Sequence, residues 1–206
     1  MNNDMHTDFF QCEASDIDAL KKKDKKLAAV IDRYGAIERE VNYDVFSALI
    51  RSIIAQQISG KAADTVERRL VDLCGGITPG SVFEADMSAI QQCGMTMRKA
   101  GYIKEAGKAV YTGAIDLSSL KDMPDEGVIA LLSSLPGIGV WTAEMLLIFS
   151  LGRMNVLSYG DLAIRRGLCR LYGHKTLTKE QFAKYKKRYS PYGSIASLYL
   201  WRLSVE

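Results

Sequence analysis

Residues 135–147 read LPGIGVWTAEMLL, and no other stretch of the chain restricts its fold as tightly. Upstream, PDEGVIALLSSL carries apolar residues at helical spacing, and downstream VWTAEMLLIFSL is apolar on nearly every side. Pro136 stops the first helix because it has no N–H to donate and its ring collides with the preceding turn. Gly137 and Gly139 permit backbone angles closed to other residues. With only Pro-Gly-Ile-Gly between them, the two helices must fold back as a tight αα-hairpin. Such a turn also bares backbone N–H groups at a helix start, where the dipole favours negative charge, so it suits a phosphate diester. Taken alone, a GxG turn is more simply a connector between packed helices.

The rest of the chain repeats the helical theme. Asn42-Tyr43-Asp44 leads into VFSALIRSIIAQQIS, whose Val45, Phe46, Leu49, Ile50, Ile53 and Ile54 form one apolar stripe. Ser59-Gly60 breaks that helix, and KAADTVERRLVDLCGG restarts and ends on a glycine pair. DMSAIQQCG, MRKAGYIKEAGKAVYTG, GDLAIRRGLCRLYG, TKEQFAKYKKRYS and SIASLYLWRLS all read as helices. Pro124 sits at a helix start. GVWTAEMLLIFSLG is expected to be the buried central helix. Residues 18–34 read as one or two helices, with KKKDKK as a solvated face. Period-two alternation nowhere persists for more than a few residues, so the expected class is all-α.

Composition narrows the setting. At 206 residues the chain has material for one or two packed domains. No apolar run reaches the roughly 18 residues that span a bilayer. MNNDMHTDFFQCEASD lacks a basic stretch followed by an apolar one, so no secretory signal is expected. Cys12, Cys74, Cys93 and Cys169 are scattered, which predicts free thiols in a reducing cytoplasm. Two histidines, His6 and His174, argue against a His-based metal site. Net charge is +3 but uneven: residues 160–206 hold ten Lys and Arg against Asp161, Glu180 and Glu206. A basic C-terminal segment fits a polyanion partner, or equally a solvated helix face.

LPGIGxxTA between two helices resembles the helix-hairpin-helix motif of the HhH-GPD DNA glycosylase superfamily. VLSYGDLAIRRG (156–167) resembles the segment that carries that superfamily's catalytic aspartate. SIIAQQIS (52–59), GMTMRKAGYI (94–103) and SPYGSIASLYLW (190–201) are similar to segments of its alkylation-repair branch, the 3-methyladenine DNA glycosylase II group. Together these cover about residues 43–205. The large N-terminal α/β domain of some members has no counterpart here, nor does the four-cysteine cluster of iron–sulphur members. Tyr159-Gly160 stands where some relatives have an acidic residue or proline before the aspartate.

The resemblance implies a two-lobed all-α fold. Residues 43–155 would form a helical barrel lobe with the hairpin at about 124–151, and residues 1–42 plus 156–206 a second lobe. Double-stranded DNA containing a damaged base would be the partner, lying against the hairpin with the flipped base between the lobes, and the chain would act as a monomer away from membranes. Asp161 would be the catalytic carboxylate. As a helix N-cap it would also carry a charge that the helix start favours. Gln57, flanked by Gln56 and Ile58, would fill the gap left by the base. Trp141, Trp201, Tyr159 and Tyr192 would line the base pocket; Tyr43, Phe46 and Tyr199 are weaker candidates. Gly137, Ile138, Gly139, Thr142 and Arg165 would contact DNA. No cofactor is required, and hairpin carbonyls would suit a structural monovalent cation. Two rivals stand beside this reading: a bifunctional glycosylase–lyase for oxidised bases, and a non-catalytic DNA-binding module. The lyase branch uses a lysine where this chain has Trp141. The preferred base is left open among 3-methyladenine, 7-methylguanine, ethenoadenine and hypoxanthine, and the compartment between a bacterial-type cytoplasm and a nucleus.

Overall fold

The computed structural model describes residues 8–206; His6, with the rest of the first seven residues of the N-terminal stretch read for a signal, lies outside the described residues. In chain order, β1 (Asp8–Phe9) precedes α1 (Ala14–Lys23), α2 (Lys25–Tyr34) and β2 (Glu40–Val41). Then come α3 (Val45–Ala55), α4 (Gly60–Cys74), α5 (Pro79–Glu84), α6 (Met87–Gln92), α7 (Met97–Tyr111) and a 3-10 turn at Leu117–Lys121. The chain continues through α8 (Asp125–Ser133), α9 (Val140–Phe149), α10 (Leu162–Tyr172), α11 (Lys179–Tyr189) and α12 (Gly193–Ser204). The fold is all-α, apart from the two-residue antiparallel pairing of β1 with β2, which is too short to show as alternation. Helix starts are written locally: Asp44, Ser59, Asp86, Thr96, Asp161 and Thr178 each accept a first-turn N–H. Each such cap contributes about 1 kcal/mol.

The helices form two compact units. One is continuous, Asn42–Leu146. Its core gathers Leu49, Ile50, Ile53 and Ile54 of α3 with Leu70, Ile90 and Ile103, all fully buried. Here α7 packs against α3, α5 and α6.

The other unit runs up to Val41 and resumes at Leu147–Glu206. The resemblance implies a junction at 155–156, but it falls inside α9. The cause is the last turn of that helix: Phe149 stacks on Trp201 at 5.6 Å, and the Arg39 guanidinium lies 5.7 Å from the Phe149 ring. In this unit α10 packs along α12 so closely that a Cβ on Gly167 would lie 2.3 Å from the Leu200 carbonyl oxygen. The start of α12 is stitched to residues 153–156. The Ser194 hydroxyl donates to Arg153 O at 2.5 Å and accepts from Val156 N at 3.1 Å, and Ser197 Oγ donates to Val156 O at 3.1 Å.

Two expectations change. Ala143, Leu146, Leu147 and Ile148 bury α9, but its first turn opens outward, with Val140 56% and Trp141 49% exposed. Helix α9 is therefore not buried throughout, because its start belongs to the hairpin surface. Within KKKDKK, Asp24 is buried rather than solvated. It caps α2 through Lys26 N and Leu27 N, and accepts hydrogen bonds from the Tyr172 hydroxyl and, at 2.7 Å, Arg188. All four cysteines are free.

Candidate active site

The hairpin is narrower in what it offers than its sequence implies. Gly137 takes φ +84°, and a Cβ there would lie 2.3 Å from the Tyr102 ring. Gly139 has open space around its Cα, so a side chain fits. Ile138 buries its side chain, and its N–H donates to Leu135 O at 3.1 Å. That side chain anchors the turn. The groups able to meet an anion are Gly137, the exposed Gly139 and the first turn of α9, where helix N–H groups lack intrahelical acceptors. Thr142 sits half-buried on that turn.

Between α3 and α4, Gln57 is exposed and holds φ +59°, the sole non-glycine at positive φ among the described residues. Its neighbour Ile58 is 40% exposed. Gln56 is not a solvated helix end: its amide donates to Gly137 O at 2.8 Å. Lys99, in the first turn of α7, donates to Ile54 O at 2.8 Å and Gln56 O at 2.6 Å. Burial pushes its ammonium pKa below the ordinary lysine value.

In the second unit Asp161 is buried at 6% relative exposure. One carboxylate oxygen accepts Ile164 N–H at 2.9 Å, and the other accepts Trp201 Nε1–H at 3.1 Å. The close approach of α10 and α12 at Gly167 brings the indole within reach, and Phe149 backs that ring. Phe149 was not singled out in the sequence, where it reads as one more apolar position on α9. Tyr159 packs edge-on against Phe182 at 5.2 Å, with the Arg165 guanidinium 5.0 Å and Lys179 5.9 Å from its ring. These contacts occupy much of Tyr159, and they hold Arg165 inward. Tyr192 is half-buried at the start of α12, its N–H bonded to Tyr189 O. Phe46 and Tyr199 are core residues, the latter donating to Gly35 O at 2.9 Å, whereas Tyr43 is 48% exposed.

The basic C-terminal segment divides in two. Arg170 donates to Leu203 O, and Arg188 binds Asp24. Lys184, Lys186 and Lys187 remain exposed on α11, whose other side buries Phe182, Tyr185 and Tyr189.

The hairpin and the capped aspartate both fall within residues 50–191, which match the HhH-GPD superfamily of base excision DNA repair proteins, and the chain belongs to that family. Its similarity lies with the 3-methyladenine glycosylase members. A DNA-3-methyladenine glycosidase structure from Bacillus halodurans is 33% identical, with TM-score 0.86 over 96% of this chain and 92% of that one. The 3-methyladenine DNA glycosylase of Schizosaccharomyces pombe, solved in complex with abasic DNA, is 29% identical, with TM-score 0.78 over 92% and 96%. The Bacillus subtilis protein YfjP is 30% identical over an aligned length of 185, covering 85% of this chain and 64% of that protein. The chain thus spans just under two thirds of that relative's length.

Proposed function

We propose that this chain is a monofunctional DNA glycosylase that hydrolyses the N-glycosidic bond of alkylated purines, opening base excision repair. The observation that carries the reading is Asp161, a carboxylate buried at a helix start with each oxygen oriented by a named donor. When the bond breaks, its electron pair leaves with the base and positive charge develops on the sugar, as in glycoside hydrolysis. A preorganised carboxylate stabilises that charge, and water completes the reaction at the anomeric carbon. Alkylation already makes the purine a good leaving group, so little acid assistance is required. Trp141 and Trp201 supply the aromatic faces best suited to a cationic base. Gln57 fills the space the base vacates, while the hairpin amides and the α11 lysines hold phosphates.

Trp141 stands where a lyase would carry its amine, which favours simple hydrolysis over the bifunctional reading. A monovalent cation at the hairpin belongs to the same proposal. The hairpin supplies an oxygen-only donor set: the Leu135, Gly137 and Gly139 carbonyls accept one hydrogen bond each, from Ile138 N, Gln56 Nε2 and Ala143 N. Each retains a second lone pair. A bound cation would add positive charge toward a phosphate.

The test is a base-release panel on duplexes with single 3-methyladenine, 7-methylguanine, ethenoadenine or hypoxanthine lesions. Release of an alkylated purine with an intact abasic strand is expected. No release from any duplex despite tight DNA binding would favour the non-catalytic reading.

A further inference from the structure

Three contacts around the loop 56–59 form a closed triangle inside one unit. On α7, Lys99 and Tyr102 are three residues apart and so share a face. Lys99 holds the end of α3 through the Ile54 and Gln56 carbonyls. Tyr102 lies against Gly137, filling the space a Cβ would need. Gln56 closes the triangle by donating to Gly137 O. Next to Gln56 stands Gln57 in its left-handed conformation, side chain outward. A left-handed non-glycine is strained and persists only where its surroundings over-determine it. The carbonyls at a helix end lack intrahelical partners, and here a single ammonium satisfies two of them.

We infer that Lys99 is a positioning residue: with Tyr102 and Gln56 it holds Gln57 in the left-handed conformation at a fixed spacing from the hairpin. Docking of the hairpin on a phosphate then delivers Gln57 to the base stack in one motion. The inference rests on Gln57 as the gap-filling side chain. It assigns Lys99 to extrusion of the base, not to the chemical step.

Extrusion and chemistry separate when the same lesion is offered in two contexts. The substrates are 7-methylguanine opposite cytosine and 7-methylguanine opposite an abasic analogue, where no pair resists extrusion. Under single turnover, Lys99→Met is expected to slow the paired substrate about tenfold and the unpaired one less than twofold, with Lys99→Arg recovering most of the loss. Gln56→Ala, which cuts the third side of the triangle, is expected to show the same split. Gln57→Ala should also show it, and should add little on top of Lys99→Met. Equal slowing of both substrates by Lys99→Met and by Gln56→Ala would overturn the inference and leave these residues as packing. If Gln57→Ala slows the paired substrate but neither Lys99→Met nor Gln56→Ala does, the triangle has no role and the wedge reading stands. If Gln57→Ala changes nothing, the wedge reading itself fails, and this inference with it.

Discussion

Trp201 donates its indole N–H to the carboxylate of Asp161 at 3.1 Å, across a sequence separation of 40 residues. An aromatic side chain thus both presents a face and orients the charge beside it. Asp161→Asn keeps size and capping capacity but removes the charge. Excision is expected to fall at least about a hundredfold, roughly 2.7 kcal/mol of transition-state stabilisation, with binding to abasic DNA retained. Trp201→Phe keeps a ring on Phe149 and deletes the donor. A hydrogen bond to a charged group contributes about 1.5–3 kcal/mol, so a loss in kcat of about ten- to hundredfold is expected, with KM little changed. Single-turnover rates check both, and near-normal turnover by Asp161→Asn would reduce Asp161 to a cap.

Gly167→Ala inserts a methyl group 2.3 Å from the Leu200 carbonyl oxygen. Backbone cannot swing aside as a side chain does, so α10 and α12 must separate. Overpacking of this kind costs about 1–3 kcal/mol, and each kcal/mol lowers Tm by roughly 2–4 °C in a chain of this size. Residual activity should fall further than stability alone dictates, because the indole retreats from Asp161. A thermal melt beside an excision assay below the transition separates the two effects.

The two hairpin glycines should respond differently. Gly139 has room for a side chain, so Gly139→Asp should fold normally while placing negative charge at the phosphate site. Weaker binding to every duplex alike is expected. Gly137→Ala meets the Tyr102 ring and a positive φ, and should lower stability before it alters binding. For the wild type, log affinity should fall with log salt by about 0.9 for each phosphate neutralised. Arg170 and Arg188 already bind protein groups, so the slope should be gentler than the ten basic residues of segment 160–206 imply. Affinity that stays flat with salt would remove the phosphate-docking model.

Trp141→Ala tests the cationic-base reading. A lyase step needs an amine that forms a Schiff base, and an indole cannot supply one. Borohydride should trap no protein–DNA adduct. Loss of Trp141 should slow release of a cationic lesion more than of a neutral one, because only the cation is drawn to the ring's electrostatic field. Equal slowing of both lesions would leave Trp141 as packing.

Asp24 predicts a pH dependence of stability. Burial raises its pKa, but hydrogen bonds from Tyr172, the Leu27 amide and Arg188 outweigh that and hold it below the ordinary value. A group whose folded pKa is lowered stabilises the fold above its unfolded pKa, about 3.9 for aspartate. That contribution fades as pH falls through the folded value. The Tm difference between wild type and Asp24→Asn should therefore be widest near neutrality and shrink below about pH 4. A difference independent of pH would show that Asp24 acts through shape alone.

The features legible in the sequence are those with local causes. Pro136 and the two glycines dictate the hairpin within five residues, and caps such as Ser59 and Thr178 mark helix starts through their own side chains. The features that escaped depend on distant partners. Asp24 looked like one charge among lysines because Tyr172 and Arg188 lie 148 and 164 residues away. Lys99 reads as a helix-start cation until the carbonyls 43 and 45 residues before it are brought to its ammonium. The burial of the Ile138 side chain was likewise hidden, because sequence does not tell which side of a turn faces inward. Only the resemblance, not periodicity, singled out Asp161 among the several aspartates that cap helices.

The stitching of Ser194 and Ser197 onto residues 153–156 also bears on the order in which the molecule acquires its chemistry. Residues 42–146 find their packing partners among themselves, and can close as soon as they are made. The unit that holds Asp161 cannot, since its carboxylate waits for Trp201 and its preceding loop waits for Ser194 and Ser197. At synthesis rates of about 5–20 residues per second, that leaves a ribosome-bound interval of seconds. During it the unit with the hairpin is packed while the Asp161 site is still incomplete. On the proposed function, docking on phosphate through the hairpin is therefore acquired before the competence to release a base, with the last helix serving as the arming step.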